Sequence, residues 1–240
     1  MRKWLLSSAA VMVLLFSSCE AFSNSWGESF ARDPSTIEVT AGNVKDLLRE
    51  AKGDTKTSRG ILDKIAQQLK GNPTPDPTLQ AAAVTAANQA SGLGVEILNN
   101  TSILLGDEKM PDAETFKTLL DTVQNNMKAN DLVGISDNIA VALPVTTSEN
   151  GAPVFDDKFE ASSADLTCLA LALALAESER EGGFDNYIKT WTSGDRKIDG
   201  TGIELSKSEQ VIAAITNKVA SDPNSTLGKE LKGLLEGAIN

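Results

Sequence analysis

The chain has 240 residues, with 33 acidic side chains against 22 basic ones, a net charge of −11 and no histidine. An acidic excess of this size excludes nucleic acid and anionic headgroups as expected partners, because phosphate binding draws on clustered Lys and Arg. The lack of histidine removes the commonest acid, base and metal ligand near neutral pH, which rules out His-based triads and the usual zinc sites.

In chain order, Arg2 and Lys3 come first, the apolar stretch Trp4 to Phe16 follows, and Ser17, Ser18 and Cys19 close the segment. Charged, apolar and small regions in that order mark a secretory signal peptide. The apolar run is too short to cross a bilayer as a permanent helix. With small residues directly before a cysteine, the segment resembles the class II signal peptide of bacterial lipoproteins. Phe16 stands where the commonest form of that motif has Leu, as in the relaxed version found in spirochaetes. The resemblance implies that residues 1–18 are removed, that Cys19 carries the acyl anchor, palmitate included, and that the protein is lipid-anchored in a bacterial cell envelope. The inner and outer membranes are equally compatible with it.

Loss of Arg2 and Lys3 with that segment moves the net charge of −11 to −13 and leaves 222 of the 240 residues. That length supports a sizeable core in one domain, with two domains as the alternative. Cys168 is the one other cysteine, so no pair is left for an internal disulfide and stability must come from packing.

Residues 19–40 are expected to be the lipidated cysteine and a flexible tether, because 20–36 mix Ser, Asn and Gly without apolar periodicity. Phe22, Trp26 and Phe30 recur every four residues; packing on the folded domain is the plainer reading, and insertion among headgroups the alternative. Residues 41–240 form the helical domain. Asn43 caps a short helix over Val44, Leu47, Leu48 and Ala51, and Gly53 ends it. The next helix carries Ile61, Leu62, Ile65 and Leu69. Three prolines within 71–78 forbid regular helical bonding there and mark the place for an internal break.

Leu79 to Ala90 is Ala-rich and helical by propensity, whereas Gly92 and Gly94 weaken its continuation towards Ile97, Leu98, Ile103 and Leu104. Phe116, Leu119, Leu120, Val123 and Met127 define an amphipathic helix, with Asp112 and Glu114 at its start. Leu132, Ile135, Ile139 and Leu143 make another, stopped by Pro144, and Val145 to Phe159 reads as a long loop or small hairpin. Ser162 and Asp165 have capping-box spacing before Leu166 to Ala176. The Leu-Ala alternation from Leu169 has the period of a strand, but alanine is a poor strand residue and the flanks are helical. Leucines then emerge on opposite sides of a helix, and apolarity all round places it at the centre of the core. Phe184, Tyr187, Ile188 and Trp191 form a short helix. Ser206 and Glu209 make a capping box before Val211, Ile212, Ile215 and Val219, and Leu227 to Ile239 is the last amphipathic helix. The fold expected is all-α, an irregular multi-helix bundle, with a degenerate helical-repeat solenoid as the alternative.

Asp195, Asp199 and Glu204 are the weak metal candidates, since alternating carboxylates beside Gly200 suit a hard cation. Lys197 brings a positive charge where a ligand should be, so a solvated turn without metal is the expectation. Asp156, Asp157 and Glu160 read as a solvated acidic loop. Cys168, flanked by Leu166 and Leu169 with no basic neighbour, reads as core filler. Gly233 and Gly237 allow close helix packing within the domain. No catalytic constellation and no cofactor motif stands out. The function expected is that of a non-catalytic envelope lipoprotein, binding a protein partner or serving as a structural component. A membrane-active or pore-forming lipoprotein is the first alternative, and a carboxylate-based enzyme acting on glycans the more remote one.

Overall fold

A computed structural model describes residues 36–99, 122–127, 130–197, 199 and 204–221. Cys19, the tether aromatics, Ile103, Leu104, the first part of the Phe116 helix and the Leu227 to Ile239 helix lie outside the described residues.

The described chain is mainly helical. Helix α1 spans Val44–Glu50, α2 Thr55–Leu69, α3 Pro77–Ser91, α4 Leu93–Asn99, α5 Leu132–Ala142, α6 Ser163–Arg180, α7 Phe184–Thr192 and α8 Lys207–Ala220, and residues 122–127 are also helical. Between α5 and α6 the chain makes a small antiparallel hairpin, β1 (Thr146–Thr147) with β2 (Pro153–Val154), in which Thr146 faces Val154. Gly151 turns it with φ +86°, a conformation that L side chains rarely adopt.

Most starts are capped as their residues dictate. Asp54 accepts from the Thr57 amide at 3.0 Å, Asp76 from Thr78 at 2.8 Å and Ser162 from Asp165 at 3.0 Å. At α8 the box closes on both sides, Ser206 Oγ accepting from the Glu209 amide and Glu209 Oε2 from the Ser206 amide. Asn43 differs from expectation. It occupies the cap position of α1, yet its side chain turns backwards, accepting from the Thr40 amide and donating to the Glu38 carbonyl. The backward contact ties the entering chain instead, and Gln68 holds it further by donating to the Val39 carbonyl at 2.7 Å.

Ile61, Leu62, Ile65, Ala66 and Leu69 place the buried face of α2 against the Ala-rich α3, where small side chains allow close approach. The proline-rich stretch 71–78 contains the turn between these two packed helices, and Pro77 itself opens α3, where its missing N–H costs nothing. Helix α6 lies inside: it packs on α3, α5, α7 and α8, and Leu166, Leu169, Leu173 and Leu175 are buried around its circumference. The α2–α5, α3–α6 and α5–α8 contacts join elements far apart in sequence, which is bundle packing; a solenoid brings together sequence neighbours only. One apolar cluster runs from Ile37 to Val219.

Candidate functional site

Where α5, α6 and α8 meet, the core contains charge. Glu177 continues the α6 stripe of Leu166, Ala170 and Leu173 by one more turn, so the helix that buries those leucines also buries its carboxylate, 4 % exposed. Its Oε1 accepts from Ser136 Oγ of α5 at 3.0 Å, from Arg180 Nη1 at 2.5 Å and from Ser208 Oγ of α8. Its Oε2 accepts from Ser206 Oγ at 3.3 Å. Arg180 continues outwards to Asp137 at 2.6 Å.

Glu209, 2 % exposed, reaches the same place because the capping box aims its side chain back across the start of α8. Ser206 therefore touches both carboxylates. Arg196, in the loop after α7, pairs with Glu181 through both terminal nitrogens, Nη1 to Oε2 at 3.1 Å and Nη2 to Oε1. Its Nε lies 2.7 Å from Glu209 Oε1, close enough for an ion pair but without hydrogen-bond alignment. Tyr187 and Trp191 floor this cluster, their rings edge to face at 6.2 Å, with the Arg196 guanidinium 5.7 Å from the Tyr187 centroid.

Burial raises the Glu209 carboxyl above the ordinary glutamate range; the Ser206 amide and Arg196 pull it back only in part. Burial, followed by the Glu209 charge, pushes the Tyr187 phenol well above its ordinary value. An acid–base catalyst must offer a lone pair or a proton to a substrate. Glu177 instead spends its acceptor capacity on the chain's own donors, and the arrangement acts chemically as a clasp holding three helices in register.

The residues that sequence analysis singled out lie elsewhere. Asp195 and Glu204 are exposed, as is Asp199, and Asp195 accepts from its neighbour Ser193 at 2.7 Å. Among the described residues no group of three Asp, Glu or Cys side chains is placed to hold a metal ion. Asp156, Asp157 and Glu160 are exposed on the loop between hairpin and α6. Cys168 is half-buried, on the same less covered side of α6 as Leu171. Sequence patterning alone does not reveal the clasp: the Ser206–Glu209 spacing signals only a cap, and the apolar run stops at Ala176, one residue before Glu177. The signal available was the i, i+4, i+7, i+11 stripe, on which position 177 falls.

No family model, no curated protein and no solved structure matches the chain.

Proposed function

We propose that the protein is a non-catalytic lipoprotein of a bacterial cell envelope, held to the membrane through acylated Cys19, and that its helical domain binds an envelope protein or serves as a structural component. The observation that carries this reading is the order Arg2-Lys3, Trp4 to Phe16, Ser17-Ser18-Cys19. The clasp supports the non-catalytic part, because its two buried carboxylates are engaged by serines and arginines of the chain. No described helix is long and apolar enough to cross a membrane, so an acyl anchor supplies what the described helices do not.

The test is to express the full-length protein and its Cys19→Ala variant in a bacterium that processes lipoproteins, feed an alkyne fatty acid, and fractionate the cells. Label on the parent, with the parent in the envelope fraction and the variant unlabelled, is the expected outcome. A parent without label, or a variant labelled as strongly, contradicts the proposal.

A further inference from the structure

The turn of the β1–β2 hairpin carries the chain's single Asn-Gly pair, Asn150-Gly151. Glu149, Asn150 and Gly151 are all exposed. Apart from the adjoining residues, no atom lies within 4 Å of the point where a Cβ on Gly151 would stand, so the Gly151 nitrogen is crowded neither by a side chain of its own nor by a neighbour's. That nitrogen and the side-chain carbonyl carbon of Asn150 are held close by the chain itself, and intramolecular attack needs no encounter. Other described asparagines lack this setting. Asn72 precedes Pro73, which has no N–H, and after Asn88, Asn138 and Asn217 the next amide is bound within a helix.

One contact opposes the reaction: the Gly151 amide donates to the Ser148 carbonyl at 2.9 Å. It closes a hairpin that pairs only Thr146 with Val154 and Thr147 with Pro153, and β1 is exposed throughout. So short a hairpin opens locally at little cost, which frees the nitrogen. We infer that Asn150 is a site of spontaneous deamidation in the folded protein, with water as the co-reactant. The Gly151 nitrogen gives up its proton and bonds to Asn150 Cγ, the bond from Cγ to the side-chain nitrogen breaks, and ammonia leaves with that proton. Water then opens the resulting succinimide: attack at Cγ gives aspartate, and attack at the main-chain carbonyl gives isoaspartate. Either product puts a new carboxylate beside Glu149. Isoaspartate also lengthens the turn by a methylene, which disturbs the pairing of β2, whose Pro153 carbonyl accepts from Asn217 of α8 at 3.2 Å. The inference is independent of the lipid anchor.

The test is to incubate the full-length protein in mildly alkaline buffer made with water enriched in heavy oxygen, both natively and in urea. Peptide mass spectrometry reads each asparagine, and labelling with a protein isoaspartate methyltransferase reads isoaspartate. Conversion at Asn150 in the native protein, with heavy oxygen taken up and isoaspartate formed, is expected, while Asn138 stays unchanged. In urea, where the turn is absent, Gly151→Ala should slow the reaction several-fold by crowding the nitrogen. No conversion at Asn150 in the native protein, conversion of Asn138 as fast as Asn150, or an unchanged rate for Gly151→Ala in urea overturns the inference. Hydrogen exchange over 146–154 reads the consequence: faster exchange in the converted protein than in Asn150→Asp supports the lengthened turn, and equal exchange overturns it.

Discussion

Glu177 and Glu209 are buried side by side yet do different work. Glu177 is bound by serines from two other helices and by Arg180, so Glu177→Ala strands those donors and removes the shared acceptor of α5, α6 and α8. Breaking a buried pair in this way costs about 3–5 kcal/mol. Urea titration should show the loss with an unchanged slope; a loss below about 1 kcal/mol would make the clasp incidental.

Asp54 and Glu209 give opposite dependences on pH. Burial alone would raise Asp54, but the Thr57 hydroxyl and the backbone amides of Thr57 and Lys56, with the Lys56 charge, outweigh it and hold the carboxyl below its ordinary value of 3.8. Its contribution is present above that value and is lost as pH falls through the lower folded value. Glu209 is raised from 4.5, so the folded state binds its proton more tightly than the unfolded state does. The stability this confers is complete below 4.5 and is withdrawn as pH rises through the higher folded value. Carboxyl NMR should place the Glu209 midpoint above that of an exposed glutamate. A midpoint at or below the ordinary value would mean that Arg196 outweighs burial.

At the scale of elements, α6 is the centre of the bundle. Leu173 is fully enclosed, whereas Leu171 lies on the half-buried side of the helix. Leu173→Asp puts an uncompensated carboxylate into the core and should remove most of the 5–15 kcal/mol typical of a domain. Leu171→Asp should leave a folded protein with a lower melting temperature. Equal behaviour of the two variants in thermal circular dichroism would contradict the orientation of α6.

The central place of α6 was legible in the sequence, because leucines two residues apart on a helix emerge on opposite sides and demand neighbours on both; its orientation was not, since the same pattern makes Leu171 as much a core residue as Leu173, whereas the structure leaves Leu171 half-buried. The hairpin, the α8 capping box and the stop before Pro144 were legible for equally local reasons. What stayed hidden depends on distant contacts. Asp131, the cap of α5, adopts φ +50°, and its Oδ2 meets Arg59 of α2 at 3.2 Å. Arg59 also holds Asp63 at 2.9 Å, and Asp63 accepts from Asn138 of α5 at 2.5 Å. A Cβ at Gly134 would run into the Asp131 carboxylate and the Arg59 guanidinium. Gly134→Ala should therefore displace both and destabilise the α2–α5 contact, against the ordinary rule that alanine favours a helix. A variant at least as stable as the parent would contradict this. No spacing within one helix signals such a join, nor does it signal that Glu177 meets Ser208.

For the whole molecule, one continuous apolar cluster holds the helices of an acidic chain together, and the clasp fixes how they meet. The tether and the anchor would then set where the domain works. Each buried methylene of an acyl chain contributes about 0.8 kcal/mol, so two or three chains hold a protein to a bilayer where one gives only marginal binding. The most direct measurement is intact-mass and N-terminal peptide mass spectrometry of the mature protein purified from bacterial membranes. A first residue at Cys19 carrying two or three acyl chains is the expected result; an unmodified N-terminus at any other residue would contradict the lipoprotein reading.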